Sequence, residues 1–256
     1  MPVSAIKAFV PVPFDRPPVV EAIYGIQAVT AAELVPDEVM EKLSALLPPG
    51  FIMQQSMDHV NIELKREAEG PVQHKHTQVW SGAKLASVDG KVVAHFMRFG
   101  IFVSFTAYRS YEESRPVVQL LWAVYSETFK PHMITRLSIR YINLIKLPFE
   151  NGRINLERYF QVHLRFPNEL ANTMEHFHQQ FVIRDPATQV PARVMISNLR
   201  EEDDSLVVAF DNEGYQESQW TPDDSRIWAE LELVRNWTYQ IFRTTLTEEC
   251  LRNYND

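Results

Sequence analysis

The chain has 256 residues, a single cysteine at Cys250, and a net charge of −8 with an isoelectric point near 5.5. One cysteine excludes an intrachain disulfide and a thiolate zinc cluster, and the acidic balance argues against broad binding to nucleic acid or anionic membrane. Hydrophobic content of 45% against 23% charged residues is that of a folded globular chain, long enough for one large domain or two intimately packed halves.

Residues 1–18 carry Pro2, Pro11, Pro13, Pro17 and Pro18 and read as an extended arm, with Val10, Val12 and Phe14 to pin it to the body. The same prolines break the apolar run that a signal peptide needs. No stretch approaches the roughly 18 apolar residues of a spanning helix, so a soluble, cytoplasmic protein is expected. Alternation over Val19–Val29 predicts a strand that buries Val20, Ala22, Tyr24, Ile26 and Ala28. Pro36 with the acidic residues after it, and Pro48, Pro49 and Gly50 beyond, bound a helix with Val39, Leu43, Leu46 and Leu47 facing the core. Strand-like runs follow at Phe51–Leu64, Thr77–Val88 and Val92–Tyr108. KREAEGPVQHK separates the first two, and the hairpin dipeptide Asp89-Gly90 the last two. Ser110 with Glu113 reads as a capping box, with Arg115-Pro116 the alternative, later start, of a helix with the stripe Val117, Leu120, Leu121, Val124 and Phe129.

The stretch Ile134–Pro148, ITRLSIRYINLIKLP, is the central strand. Leu137, Ile139, Tyr141, Ile145 and Leu147 alternate on one face, with Asn143 the polar exception. The other face carries Arg136, Ser138 and Arg140, then Ile142, Leu144 and Lys146. Pro148 closes the run. After it the order of elements seen before it recurs: a short helix at Asn155–Phe160, strands at Gln179–Arg184, Arg193–Leu199 and Ser205–Phe210, and a long helix from Asp224–Ser225. That helix carries Ile227, Leu231, Val234, Ile241 and, on a flank, Trp237, and Thr245 or Thr247 caps a final helix through Tyr254. The expected fold is therefore α+β. A Pro-rich arm at 1–18 precedes two similar halves, 19–132 and 133–256, each written strand, helix, three strands, long helix. Their antiparallel sheets pack on the long helices about a pseudo-two-fold, in one compact unit.

Three stretches carry a resemblance: RPPVVEAIYGIQ near the start, ITRLSIRYINLIKLP in the middle and ELELVRNWTYQIFRTTLTEECLRNY at the end. Together they resemble a sporadically distributed bacterial family of uncharacterised proteins of about 250 residues. Its marks are a Pro-Pro-x-x-Glu strand, an Arg-Leu-x-x-Arg-Tyr-Ile-Asn strand and a helix ending in Leu-Thr. The matching positions are Pro17, Pro18, Glu21, Arg136, Arg140, Tyr141, Asn143, Leu246 and Thr247. The resemblance implies no activity.

The candidate binding residues are Arg136, Arg140, Lys146, Glu21, Tyr141 and Asn143. Arg136 and Arg140 share a strand face about 13 Å apart, a spacing that suits two phosphates or carboxylates of an extended partner. The structural alternative pairs them with acids on nearby helices, such as Glu112, Glu113 or Glu230. Glu21 is costly to bury alone, so pairing with Arg136 or Arg140 is expected. His74/His76 and His176/His178 are spaced to offer two metal ligands each from a strand, but lack an evident third and read as solvated. Glu201, Glu202, Asp203 and Asp204 lack the glycine and oxygen spacing of a calcium loop and read as a hairpin turn. Cys250 reads as a buried small hydrophobe. No P-loop, Rossmann glycine signature, Gly-x-Ser-x-Gly elbow or His-Glu-x-x-His appears, and no nucleophile, base and oxyanion set assembles. The expectation is a non-enzymatic binding, accessory or regulatory protein without a cofactor, acting with a protein partner or as a homo-oligomer. The alternatives are a nucleic-acid-binding protein using the basic strand face and a metal-dependent hydrolase without a recognisable motif.

Overall fold

The computed structural model describes residues 14, 16–30, 33–65, 73–162 and 175–254, without the side chains of 61–65 and 73–76. In chain order the elements are β1 (Val19–Thr30), α1 (Pro36–Ala45), β2 (Phe51–Lys65), β3 (Gln73–Ser87), β4 (Val92–Met97), β5 (Gly100–Phe105), α2 (Tyr111–Phe129) and β6 (Pro131–Pro148). A single 3-10 turn (Leu156–Arg158), β7 (His178–Arg184), β8 (Pro191–Glu202), β9 (Ser205–Trp220), α3 (Ile227–Thr245) and α4 (Glu248–Arg252) complete it. Most of the expected arm, 1–13, and residues 66–72 of the expected loop fall outside the described residues.

The strands form one sheet of nine in the order β2-β3-β4-β5-β1-β6-β9-β8-β7, antiparallel at every neighbour. This corrects the expected α+β pair of halves, each with its own sheet, and gives no support to an internal duplication. β1 and β6, which were to head separate sheets, pair with each other from Val19↔Asn143 to Thr30↔Pro131. A recurring order of elements along a chain does not specify which strand edges meet. Once β1 and β6 share backbone hydrogen bonds, their unpaired edges are satisfied within one sheet. The molecule is predominantly β, with its helices laid over the sheet.

The helix-covered face is the core. It takes Ala22, Tyr24 and Ile26 from β1, Ile101 and Val103 from β5, Leu137, Ile139 and Ile145 from β6, and Val208 and Phe210 from β9. Those are the positions that period-two alternation selects in β1 and β6, except that Val20, expected to be buried at the start of β1, is exposed. α3 presents Ile227, Leu231, Val234, Trp237 and Ile241, as its spacing predicts. α2 starts at the predicted cap, with Ser110 Oγ accepting from the Glu113 amide. Its buried face is rotated from the expected stripe, to Val118, Leu121, Trp122, Tyr125 and Phe129, leaving Leu120 48% exposed. Burying Trp122, Tyr125 and Phe129, whose rings stack in sequence, outweighs the smaller aliphatic stripe. α1 buries Val39 and Leu43 but ends at Ala45, so Leu46 leaves the helical phase and is exposed.

Two strand expectations change. The run Val92–Tyr108 is a hairpin, β4 and β5, turning at Arg98-Phe99. Gly100 begins the return at φ 141°, and a side chain there would strike the Ile26 carbonyl of β1. β9 does not stop at Phe210 but runs to Trp220, through the turn-like Asp211-Asn212-Glu213-Gly214. Gly214 sits beneath α3, where an added Cβ would lie 2.7 Å from Thr238 Cγ2 and 3.0 Å from Val234 Cγ1. Replacing Gly214 with Ala should therefore lower the unfolding free energy by about 1–3 kcal/mol through overpacking. A urea melt reads this as a lower midpoint, and an unchanged midpoint would show that α3 does not seat against β9 at that residue.

Candidate functional site

Alternation in β6 sends the six candidate residues to opposite faces. Arg136, Arg140 and Lys146, with Glu21 of β1, point away from the helices, whereas Tyr141 and Asn143 lie in the helix-covered core. They form two arrangements, not one site.

On the first face Arg136 and Arg140 meet carboxylates on the adjacent β9, and Lys146 meets one on β8, the strand beyond it. Arg140 is bidentate to Asp211, with Nε donating to Oδ1 at 2.8 Å and Nη2 to Oδ2 at 2.5 Å. Its pKa is raised above the usual guanidinium value, first by the hydrogen bonds to Asp211. Arg136 donates to Glu217 at 2.9 Å and to Glu213 at 3.0 Å, and its guanidinium carbon lies 3.8 Å from the centre of the Tyr215 ring. Glu213 is shared, accepting from Arg193 at 3.0 Å. Lys146 pairs with Glu202 at 3.1 Å. The expected helical partners Glu112, Glu113 and Glu230 are not used. Cross-strand neighbours at β spacing are nearer than any helix on the opposite face, and β9 supplies three acids in register with β6. Glu21 does not form the expected ion pair with Arg136 or Arg140. It accepts from Ser104 Oγ of β5, while lying near enough to favour the charged form of Arg140.

On the helix-covered face Asn143 donates to the Phe210 carbonyl at 2.9 Å, and the Tyr141 and Tyr108 hydroxyls lie 3.2 Å apart. Tyr24 is 2.5 Å from Ser114 Oγ. Burial raises the phenol pKa of Tyr24, Tyr108 and Tyr141, and pushes Tyr111 up to about 12. All four therefore keep their protons at neutral pH and offer hydroxyl donors, not phenolate bases. Around Tyr141 and Asn143 a cleft of about 70 Å³ opens between the first turn of α2, α3 and the sheet. Pro17 and Pro18 line it, and Phe14 packs against Tyr239, Phe242 and Tyr254 as the pinned end of the arm. Asn212 and Tyr111, which sequence reasoning missed, also line it, and Asn212 Oδ1 and the Tyr111 hydroxyl are buried without a partner among the described residues. Each such group costs about 1–3 kcal/mol. A larger depression of about 460 Å³ lies beside Phe149, Leu156 and Phe177, but its Asn198 is bonded to the Phe177 amide and the Glu175 carbonyl.

The remaining motif residues are structural. Leu246 is buried, and Thr247 Oγ1 caps α4 by accepting from the Cys250 amide. His176 and His178 are exposed, as expected of solvated histidines, while the side chains of His74 and His76 lie outside the description. Glu202, Asp203, Asp204 and Ser205 make the tight β8–β9 turn, with Asp203 at φ 53°. Among the described residues no three His, Cys, Asp or Glu side chains are grouped to hold a metal ion, and no helix is long and apolar enough to cross a membrane.

Removing Arg140 strands Asp211, whose side chain is 7% exposed, so Arg140→Ala should cost about 2 kcal/mol, below a fully buried pair because Arg140 itself is 35% exposed. Lys146→Ala, at an exposed pair, should stay within about 0.5 kcal/mol. Denaturant melts that rank the two variants equally would refute this division. Burial pushes the Cys250 thiol up to about 12, against about 8.5 in an unfolded chain. The neutral thiol's contribution to stability is thus complete below about pH 8.5 and lost as pH rises toward about 12. At pH 8 Cys250 should resist alkylation by iodoacetamide until the protein is unfolded, as mass spectrometry of the intact chain would read.

A scan against models of known protein families finds none that matches this chain, and a search of curated proteins finds no matching relative.

Proposed function

We propose that this is a non-enzymatic binding or accessory protein, and that the sheet face opposite the helices is where a partner protein docks. The observation that carries the reading is the charge lattice at the centre of that face. Arg136, Arg140 and Arg193 alternate with Asp211, Glu213 and Glu217, beside half-buried Ile23, Phe102, Ile142 and Met195. Mixed charge held in fixed geometry next to apolar side chains favours recognition of a protein surface, where complementary potentials set orientation and exclude wrong partners.

The nucleic-acid alternative is weaker on the same geometry. Phosphate contacts would require Arg136 and Arg140 to abandon carboxylates that already neutralise them, leaving Asp211 unpaired and Glu213 with Arg193 alone beside the phosphodiester. A hydrolase reading finds no support in the tyrosine cluster, whose hydroxyls stay protonated at neutral pH.

Native mass spectrometry of the chain purified gently from its own cells tests the reading. A second polypeptide should be retained at fixed stoichiometry. It should be lost from Glu217→Arg, a change at a side chain 63% exposed that reverses charge at the edge of the lattice. Retention of nucleic acid in place of a polypeptide would overturn the proposal, as would a companion held equally well by the variant.

A further inference from the structure

The sheet ends in β2 on one side and β7 on the other, and the two edges are built differently. Along β2 the ladder to β3 is interrupted by bulges between Met53 and Gln55 and between Met57 and Asp58. Such irregularities keep an edge from accepting a further strand. β7 pairs with β8 in unbroken register from His178↔Ser197 to Arg184↔Pro191. Its sequence, HQQFVIR, contains no proline, lysine or acid to guard it.

The bonds that flank β7 show which of its backbone groups face outward. The Asn198 amide donates to the Phe177 carbonyl at 3.3 Å, and the Asp185 amide to the Val190 carbonyl at 2.9 Å. Backbone groups of an antiparallel strand turn alternately to one side and the other. Gln179, Phe181 and Ile183 therefore share the ladder to β8, while His178, Gln180, Val182 and Arg184 direct their N–H and C=O groups away from it. No strand among the described residues takes up those groups. The same four side chains are exposed, Val182 at 58%, whereas Phe181 and Ile183 pack against the core. Val182 stands beside Arg193, so the exposed set lies on the face opposite the helices.

We propose that the outer edge of β7 pairs antiparallel with β7 of a second copy of this chain, about a two-fold axis that passes by Phe181 perpendicular to the sheet. In that register Gln180 stands opposite Val182 of the second copy, and His178 opposite Arg184, each pair exchanging two backbone hydrogen bonds. Every outward group of the strand is used, whereas a two-fold at Gln180 or Val182 would leave one end of it without a partner. Phe181 meets its own copy at a non-hydrogen-bonded position, where side chains approach closest, so the two rings pack together. Arg184, the strand's single formal charge, faces a histidine and not a second arginine. The contact is thus isologous, and it closes with two chains. A two-fold normal to the sheet also keeps both open faces on one side, so the charge lattices of the two copies become parts of one surface.

Sedimentation velocity on the full chain, across the micromolar to submillimolar range, tests this. The mean mass should rise with concentration from one chain to two. Val182→Pro removes an outward N–H and none that bonds β8, so the variant should fold, as circular dichroism reads, and dimerise at least about tenfold more weakly. Glu217→Arg should dimerise as the natural chain does, so this contact and docking at the lattice fail separately. Amide exchange on the natural chain should slow at Gln180 and Val182 as the dimer forms. A single chain at every concentration, a dimer indifferent to Val182→Pro, or unchanged exchange at Gln180 and Val182 would overturn the proposal. A different polypeptide, retained from cells and protecting the same amides, would take the edge away from a second copy.

Discussion

The structure depends on the pairing of β6 along both of its edges. β1 takes one edge and β9 the other, so the longest strand is internal and its backbone groups are satisfied throughout the sheet's centre. That double pairing compels the rest. An internal strand must present its side chains strictly up and down, and a single register sets which residues of β1 and β9 stand beside each of them. A slip of one residue would send Arg136 and Arg140 toward the helices and expose Leu137 and Ile139.

The two faces of β6 meet different physical demands. Toward the helices, burial is nearly complete, and the polar exceptions Asn143 and Asn212 are tied to backbone carbonyls of Phe210 and Thr238. On the other face charges remain, and they are tolerated because β9 answers them at the next position across the strand. Asp211, buried as deeply as many core residues, is acceptable only because Arg140 grips both of its oxygens. The same strand thus contributes to an apolar core with a small polar cleft and to an ordered surface of alternating charge. The two arrangements are separated by the thickness of the sheet.

How much was legible follows from where each partner lies in sequence. Most buried positions of β1, β6 and α3 follow from period and spacing alone, because burial of one face is a local pattern, though Val20 at the start of β1 breaks it and is exposed. The caps at Ser110 and Thr247 are legible for the same reason, since each bond closes within three residues. The stripe of α2 was misread by local pattern, because the stacking of Trp122, Tyr125 and Phe129 against the sheet outweighs aliphatic spacing. The candidate residues Arg136, Arg140 and Glu21 were recognisable as unusual, but their partners were not. Glu21 meets Ser104 of β5, while the arginines' nearest acids lie in and just beyond Asp211-Asn212-Glu213-Gly214, whose composition reads locally as a turn. It becomes strand because each member finds something across the fold: Asp211 an arginine, Asn212 a helix carbonyl, Glu213 two arginines, and Gly214 the flank of α3.

By itself the sequence determined most of the strands and the long helices, the apolar face of the central strand and the absence of familiar catalytic signatures, all of which are properties of neighbours a few residues apart. Only the tertiary structure decided that β1 and β6 join in one nine-stranded sheet, that the candidate residues divide between its two faces, and that Asn212 and Tyr111 line one cleft. The reason is physical: hydrogen bonds between strands and contacts across the core bring together residues far apart in the chain, as Tyr24 meets Ser114 90 positions away, and no local periodicity records those meetings.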